Sequence, residues 1–295
     1  MDSTHLLGPV VLFALMIVVG LQLTPADFRR VLAAPRAVVG GTVAQLVLLP
    51  LMTWGVLSAV DLSPAFGAGA VLLAASPGAA MSNVMTAVAG AHVALSVTLT
   101  AVSSVLAVVT LPALTALGMA LFLGDAIDVE VPVAQITSQL FLFLLLPIGV
   151  GMTMRARRPE TAARSIGWAN RVAVVGILAL TALGAVSGGE SLPSGAELAW
   201  AAVAALAWTL VAMAIGWSVA SLLGLDESDR FTFLIEFSAR NVALAVVVAL
   251  SSFGRLDLAL FSGVYAMTGF PLVIGLSVLR GWRAPSALHE PDRLV

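Results

Sequence analysis

Long apolar runs separated by short polar connections make up most of this chain. The runs reach 20 residues or more, and a helix of about 20 apolar residues crosses a hydrocarbon layer about 30 Å thick. Nine such spans are predicted, at approximately 6–23, 32–58, 66–90, 93–121, 130–154, 167–187, 197–224, 229–253 and 257–280. The pattern therefore predicts an all-α polytopic membrane protein, with residues 1–295 forming a single membrane domain.

Composition supports the membrane class. Hydrophobic residues make up 60% of the chain and charged residues 10%, whereas a soluble domain carries about 25% charged residues. A membrane β-barrel would need segments of about ten residues with alternating polarity, and the sequence lacks that pattern. The absence of cysteine excludes disulfide and thiolate chemistry.

Arginine placement predicts the orientation. All 14 basic residues are arginine, and 12 of them fall in inner loops or in the tail if the N-terminus lies outside. We therefore expect an outer N-terminus and a cytoplasmic C-terminus in the inner or plasma membrane. The arginines between Arg155 and Arg171 fit contact with anionic membrane lipid, and no nucleic-acid partner is expected.

Two polar interruptions break the third and eighth spans. The first is Ser76-Pro-Gly-Ala-Ala-Met-Ser-Asn83, and the second is Glu236-Phe-Ser-Ala-Arg-Asn241. The broken spans lie five apart, so they enter the membrane from opposite sides, and one more long span follows each. This arrangement is typical of an inverted-topology repeat whose discontinuous helices meet near the midplane. Ordinary kinks are the alternative, because Gly and Pro are common in membrane helices.

Glu236 and Arg240 are the acidic and the basic side chain that the pattern places deep in the membrane. An ionised group there costs about 2.5–3.5 kcal/mol on insertion scales, so such residues usually serve function. They are one helical turn apart and could face each other. A purely structural ion pair is the alternative interpretation.

The breaks predict neighbouring places for a cation and an anion. The half-helix starts attract anions, and the free carbonyls at the half-helix ends suit a cation. Sodium is a hard ion that should prefer oxygen ligands, by the logic that governs calcium and magnesium. The predicted sodium ligands are Ser82, Asn83, Ser96, Thr100 and Glu236, and the anion is expected near Met81, Asn83, Arg240 and Asn241. Taken singly, a Ser or Thr hydroxyl could instead bond to its own i−4 carbonyl, and Gln45 could make an interhelical hydrogen bond.

Four stretches resemble the bile acid:sodium symporter family. They are Ser76-Pro-Gly-Ala-Ala-Met-Ser-Asn-Val-Met-Thr, Val93-Ala-Leu-Ser-Val-Thr-Leu-Thr, Gly20-Leu-Gln-Leu-Thr-Pro-Ala-Asp-Phe28, and Glu236 with Asn241-Val-Ala-Leu-Ala. The resemblance covers nearly the whole chain and is closest to nine-span members. It implies a core domain, approximately 32–121 and 197–280, and a panel domain, approximately 6–23 and 130–187, related by inverted repeats.

The resemblance also implies a second sodium site. That site would use Gln45, Glu236 and backbone carbonyls near Phe237 and Ala239, and a glutamine where this chain has Arg240. We therefore hypothesise that Arg240 occupies or blocks the second site as a tethered cation. Alternatively, Arg240 faces the substrate cavity, as Asn241 would by resemblance, and clamps an anion.

The resulting prediction is a sodium-coupled symporter that moves an organic anion by alternating access. The resemblance implies a bile-acid-like substrate or a small carboxylate such as pantoate or a 2-oxoacid, with Na⁺ as the coupling ion and no cofactor. A sodium-independent carrier, either a uniporter or proton-coupled through Glu236, is the alternative.

An intramembrane hydrolase would need a second carboxylate, or a nucleophile with its base, so an enzyme is not expected. A channel is disfavoured because the sequence lacks a ring of charges.

Overall fold

A computed structural model describes residues 4–60, 62–124, 132–162 and 195–283, with residues 164–165 and 168. This part of the chain is helical, and its only strand-like pairing is an isolated bridge between Gly78 and Arg240. The helices are α1 (Thr4–Gln22), α2 (Pro25–Ala33), α3 (Pro35–Leu57), α4 (Pro64–Ala75), α5 (Ala80–Val88), α6 (Val93–Leu123), α7 (Val133–Arg157), α8 (Gly195–Leu222), α9 (Glu227–Ser238), α10 (Val242–Ser252) and α11 (Asp257–Arg283, interrupted at Thr268).

Five of these helices, α3, α6, α7, α8 and α11, are long and apolar enough to cross a membrane. Three shorter apolar helices accompany them: Leu12–Gln22 within α1, and the whole of α4 and α10. The prediction of an all-helical, membrane-spanning chain agrees with this architecture. The count of nine spans stays a prediction, because the sixth predicted span, 167–187, lies outside the described residues apart from Trp168.

Both predicted helix breaks are present. Helix α4 ends at Ala75, since Ser76 precedes Pro77 and a residue before proline is pushed out of the helical region. Helix α9 ends at Ser238, and Asn241 caps the start of α10 by accepting a hydrogen bond from the Leu244 amide at 3.0 Å. The two breaks pair with each other, because the Asn241 amide donates to the Pro77 carbonyl at 3.1 Å.

Glycines let the backbones of neighbouring helices approach closely. Gly216 of α8 faces the backbone of α9, where an added Cβ would lie 2.5 Å from the Phe233 carbonyl oxygen. Gly20 of α1 and Gly151 of α7 likewise lie against each other's helix backbone. Small residues serve this purpose in membrane helix packing. These contacts hold α9 against α8, and α1 against α7.

An aromatic cluster fixes the end of α9. Tyr265 of α11 donates its hydroxyl hydrogen to the carbonyl of Ser238, the last residue of α9. Trp208 of α8 packs edge-on against Tyr265 and Phe261, with ring centroids 5.4 and 5.6 Å apart. These side chains are fully buried. The cluster therefore holds the break that carries Arg240 in a defined place.

Candidate functional site

The carboxylate of Glu236 is the centre of a buried cluster of oxygen atoms. Glu236 lies in the last turn of α9 and is fully buried. Ser82 of α5 and Ser96 of α6 each place a hydroxyl oxygen 2.5 Å from its Oε1. Thr100, one turn beyond Ser96, donates to Oε2 at 3.1 Å. Side chains of two helices, α5 and α6, thus converge on the carboxylate that α9 carries.

Asn83 completes the predicted sodium set and extends the cluster to α1. Its Oδ1 lies 2.8 Å from the Ser96 hydroxyl, and its Nδ2 donates to Oε1 of Gln22 at 2.8 Å. All five predicted sodium ligands therefore lie within one network of hydrogen bonds. Ser96 and Thr100 direct their hydroxyls to Glu236, whereas Thr98 on the same helix bonds to its own i−4 carbonyl, Ala94, at 2.8 Å.

The hydroxyl groups of the cluster carry too few hydrogens to bridge all of its closely spaced oxygen atoms. The Ser82 hydroxyl lies within bonding distance of both the Ala79 carbonyl, at 2.7 Å, and Glu236. The Ser96 hydroxyl lies between Asn83 Oδ1 and Glu236 in the same way. A hydroxyl carries one hydrogen but two lone pairs. A bound positive charge, either a hard cation or a proton on Glu236, fits this surplus of oxygen lone pairs.

Gly78 closes the cluster from the first break. A Cβ added at Gly78 would lie 2.7 Å from Glu236 Oε2 and 2.8 Å from the Thr100 hydroxyl oxygen. Any side chain at this position would therefore displace the carboxylate. The absence of a side chain lets the extended backbone of the first break pass directly over Glu236.

The guanidinium of Arg240 lies in a second set of oxygen atoms. Its Nη1 donates to Gln45 Oε1 at 3.0 Å and to the Glu236 backbone carbonyl at 3.2 Å. Its Nη2 donates to the carbonyls of Ala74, at 3.1 Å, and Ser76. The side chain is fully buried. The guanidinium thus bonds to four oxygens, and none of them belongs to the Glu236 carboxylate.

Helix ends supply three of these four oxygens. The last carbonyls of a helix have no partner within it, and α4 ends at Ala75 while α9 ends at Ser238. The fourth oxygen belongs to Gln45, which lies on a π-helical turn of α3, Ala44–Leu48. Phe237 and Ala239, whose carbonyls were expected here, are buried but do not accept from the guanidinium.

The structure does not bring the four predicted substrate-binding side chains together in one place. Asn83 and Asn241 are each 4% exposed, and both contact α1, Asn241 through its Nδ2 at 3.8 Å from the Met16 sulfur. Met81 packs in an apolar cluster with Ile235 and other side chains. Arg240 is turned toward carbonyls, so its guanidinium does not join the two asparagines.

Several contacting residues were missed by sequence reasoning. Gln22 and Met16 lie on α1, far from the breaks in sequence. Gln22 belongs to the Gly20–Phe28 stretch that resembles the family, but neither residue was assigned to the site. The carbonyls of Ala74 and Ser76 were predictable in principle, because Pro77 marks a helix end and a helix end frees carbonyls.

Comparison with known proteins gives consistent matches. A sequence model of the sodium bile acid symporter family matches residues 9–194, more than half of the chain. The uncharacterized sodium-dependent transporter YocS of Bacillus subtilis is 27% identical over 258 residues, covering 86% of this chain and 78% of its own length. The probable chloroplastic sodium/metabolite cotransporter BASS1 of Arabidopsis thaliana is 29% identical over 285 residues, covering 93% and 67%. The probable cotransporter BASS2 of Oryza sativa is 30% identical over 241 residues, covering 81% and 55%.

Proposed function

The chain belongs to the sodium bile acid symporter family, and from that premise we propose that it carries an organic anion across a membrane together with sodium. Membership makes the protein a multi-pass membrane transporter and not an enzyme. The proposal adds the coupling ion's binding site, the class of substrate and the mode of transport.

The observation that carries the proposal is the oxygen cluster around Glu236. Ser82, Asn83, Ser96 and Thr100 offer neutral oxygens beside one carboxylate, and all of these side chains are buried. An all-oxygen set with a single carboxylate suits a hard cation of low charge. The cluster has more oxygen lone pairs than hydrogens to occupy them. A sodium ion would bind to these lone pairs, so the cluster is the proposed site of the coupling ion.

The substrate class rests on the two half-helix starts. Helices α5 and α10 begin at neighbouring breaks, and a helix start attracts negative charge. Asn83 and Asn241 stand at these starts. Bile acids appear in the family's description, and sodium/metabolite cotransport appears in the names of two relatives. A bile-acid-like anion or a small carboxylate such as pantoate or a 2-oxoacid is therefore the proposed substrate.

Alternating access would move two groups of helices against each other. The core would contain both broken helices, and the panel would contain α1 and α7, within nine spans related by an inverted repeat. The proposed orientation, with the N-terminus outside and the C-terminus in the cytoplasm, follows from the arginine distribution. Because the chain has no cysteine, single introduced cysteines with an impermeant maleimide would test this orientation directly.

Arg240 would replace a second sodium ion. A cation at this place would be bound by Gln45 Oε1 and the carbonyls of Ala74, Ser76 and Glu236, which are the oxygens that the guanidinium contacts. A guanidinium keeps its charge under all physiological conditions. The proposed carrier therefore keeps one cation permanently and couples transport to one sodium ion.

Flux into proteoliposomes tests the proposed function. Uptake of labelled taurocholate and labelled pantoate would be measured with an inward gradient of sodium and with choline in its place. Sodium-driven accumulation of either probe is the expected result. Uptake that is equal in choline would overturn sodium coupling.

A proton-coupled carrier is the second candidate, because a proton on Glu236 would also supply the hydrogen that the oxygen cluster lacks. In that case an inward proton gradient in choline would drive accumulation. The Glu236→Gln variant would then lose the response to that gradient.

A further inference from the structure

Gln22, the last residue of α1, joins that helix to the oxygen cluster. Its Oε1 accepts a hydrogen bond from Asn83 Nδ2 at 2.8 Å. The other end of the Asn83 amide, Oδ1, lies 2.8 Å from the Ser96 hydroxyl, which lies 2.5 Å from Glu236 Oε1. Three successive contacts thus lead from α1 to the buried carboxylate.

The two ends of the Asn83 amide have opposite chemistry. The oxygen can accept a hydrogen bond or bind a cation, and the NH₂ group can only donate. Gln22 Oε1 accepts from the NH₂ group, and this contact leaves Oδ1 directed at Ser96 and Glu236. A reversed amide would present two hydrogens to the place where a cation should bind.

We propose that Gln22 is a positioning residue for the sodium site, which holds the Asn83 amide with its oxygen toward Glu236. The proposal rests on the proposed function, because it requires sodium to bind at the Glu236 cluster. Gln22 lies on a different helix from the proposed ligands. Sodium affinity would therefore depend on where α1 lies relative to α5.

If sodium affinity depends on the position of α1, sodium binding can be coupled to a movement of that helix. A ligand shifts a conformational equilibrium only by its difference in affinity for the two states. When α1 moves away from α5, Asn83 loses its acceptor and its fixed orientation, and sodium binds more weakly. One neutral hydrogen bond corresponds to about a fivefold change in affinity.

Sodium binding to the purified protein, measured by thermal shift, tests this role without transport. Sodium chloride would replace choline chloride at constant ionic strength. Gln22→Leu, which removes the acceptor, should raise the half-saturating sodium concentration about fivefold. Gln22→Glu, which keeps an acceptor oxygen, should bind sodium at least as tightly as the unaltered protein. Gln135→Leu is the matched control, since Gln135 is an exposed residue of α7 that bonds to the Ser251 carbonyl at 3.1 Å, and it should leave the sodium titration unchanged.

A double-mutant cycle separates positioning from general packing. Asn83→Asp presents an oxygen in either orientation, so adding Gln22→Leu to it should cause no further loss of sodium affinity. The same fivefold loss in both backgrounds would overturn the proposal, as would an unchanged titration for Gln22→Leu alone. If Glu236→Gln still shows sodium-dependent stabilisation, the sodium site of the proposed function fails, and the role of Gln22 fails with it.

Discussion

Replacing Arg240 with glutamine should change both the stability of the protein and its response to sodium. The guanidinium donates to four buried oxygens, at Gln45, Ala74, Ser76 and Glu236. A hydrogen bond to a charged group contributes about 1.5–3 kcal/mol. The substitution also leaves the buried Glu236 carboxylate without a nearby positive charge, although the two side chains share no hydrogen bond. We therefore expect Arg240→Gln to lose about 3 kcal/mol of stability in choline, from the lost hydrogen bonds of the guanidinium.

Sodium should restore most of this loss. The four oxygens become available as ligands, and an ion at 100 times its dissociation constant stabilises the folded state by about 2.7 kcal/mol. The sodium-dependent rise in melting temperature should therefore be larger for Arg240→Gln than for the unaltered protein. In proteoliposomes, the sodium dependence of pantoate or taurocholate uptake should change from hyperbolic to sigmoidal, because two ions would then bind.

The matched control is Arg255→Gln. Arg255 lies in the connection before α11 and pairs with Asp257 at 2.5 Å, and both side chains are partly exposed. This variant should keep a hyperbolic sodium dependence and lose little stability, because exposed ion pairs contribute at most about 1 kcal/mol. The reasoning is refuted if Arg240→Gln keeps a hyperbolic sodium dependence and gains no more stability from sodium than the unaltered protein.

Two further substitutions test the oxygen cluster. Glu236→Gln removes the carboxylate at the centre of the cluster and should abolish sodium-dependent stabilisation, measured by thermal shift in sodium against choline; a normal titration would contradict the assignment. Gly78→Ala would bring a Cβ within 2.7 Å of Glu236 Oε2 and should lower sodium affinity about tenfold, which corresponds to about 1.4 kcal/mol. Gly149→Ala is its control because an added Cβ meets nothing within 4 Å there, and equal effects of the two alanines would contradict the assigned role of Gly78.

Local signals were sufficient to predict the long apolar helices that the structure describes and both breaks, but not the short helix α2 (Pro25–Ala33). The length of the apolar runs indicated membrane spans, and Pro77 fixed the end of the first half-helix, because proline donates no backbone hydrogen bond and restricts the residue before it. The five predicted sodium ligands were also named from the sequence. Ser82, Asn83 and Glu236 lie at the breaks, whereas Ser96 and Thr100 lie within the continuous α6 and were chosen by their one-turn spacing and by the family resemblance. The predicted helix ends differ from the observed ones by a few residues, as at the third span, 66–90, which is observed as Pro64–Ala75 and Ala80–Val88.

The direction of the Arg240 side chain could not be predicted in this way. A spacing of four residues places two side chains on one face only while the helix continues. Helix α9 ends at Ser238, so Arg240 leaves the helix before it completes that turn. Its guanidinium lies against the end of α4 and against α3 instead. These contacts span about 165 and 195 residues of sequence, and only the fold brings them together.

The same break explains how two opposite charges remain buried side by side without bonding to each other. Glu236 lies among hydroxyl groups of α5 and α6, and Arg240 lies among carbonyl oxygens that two helix ends leave free. Each charge therefore has its own set of partners, and this reduces the cost of burying it. Carbonyl oxygens can bind either a metal cation or a guanidinium, because both are positively charged. If Arg240 replaces a second sodium ion as proposed, a single substitution at position 240 would exchange a fixed charge for a mobile ion.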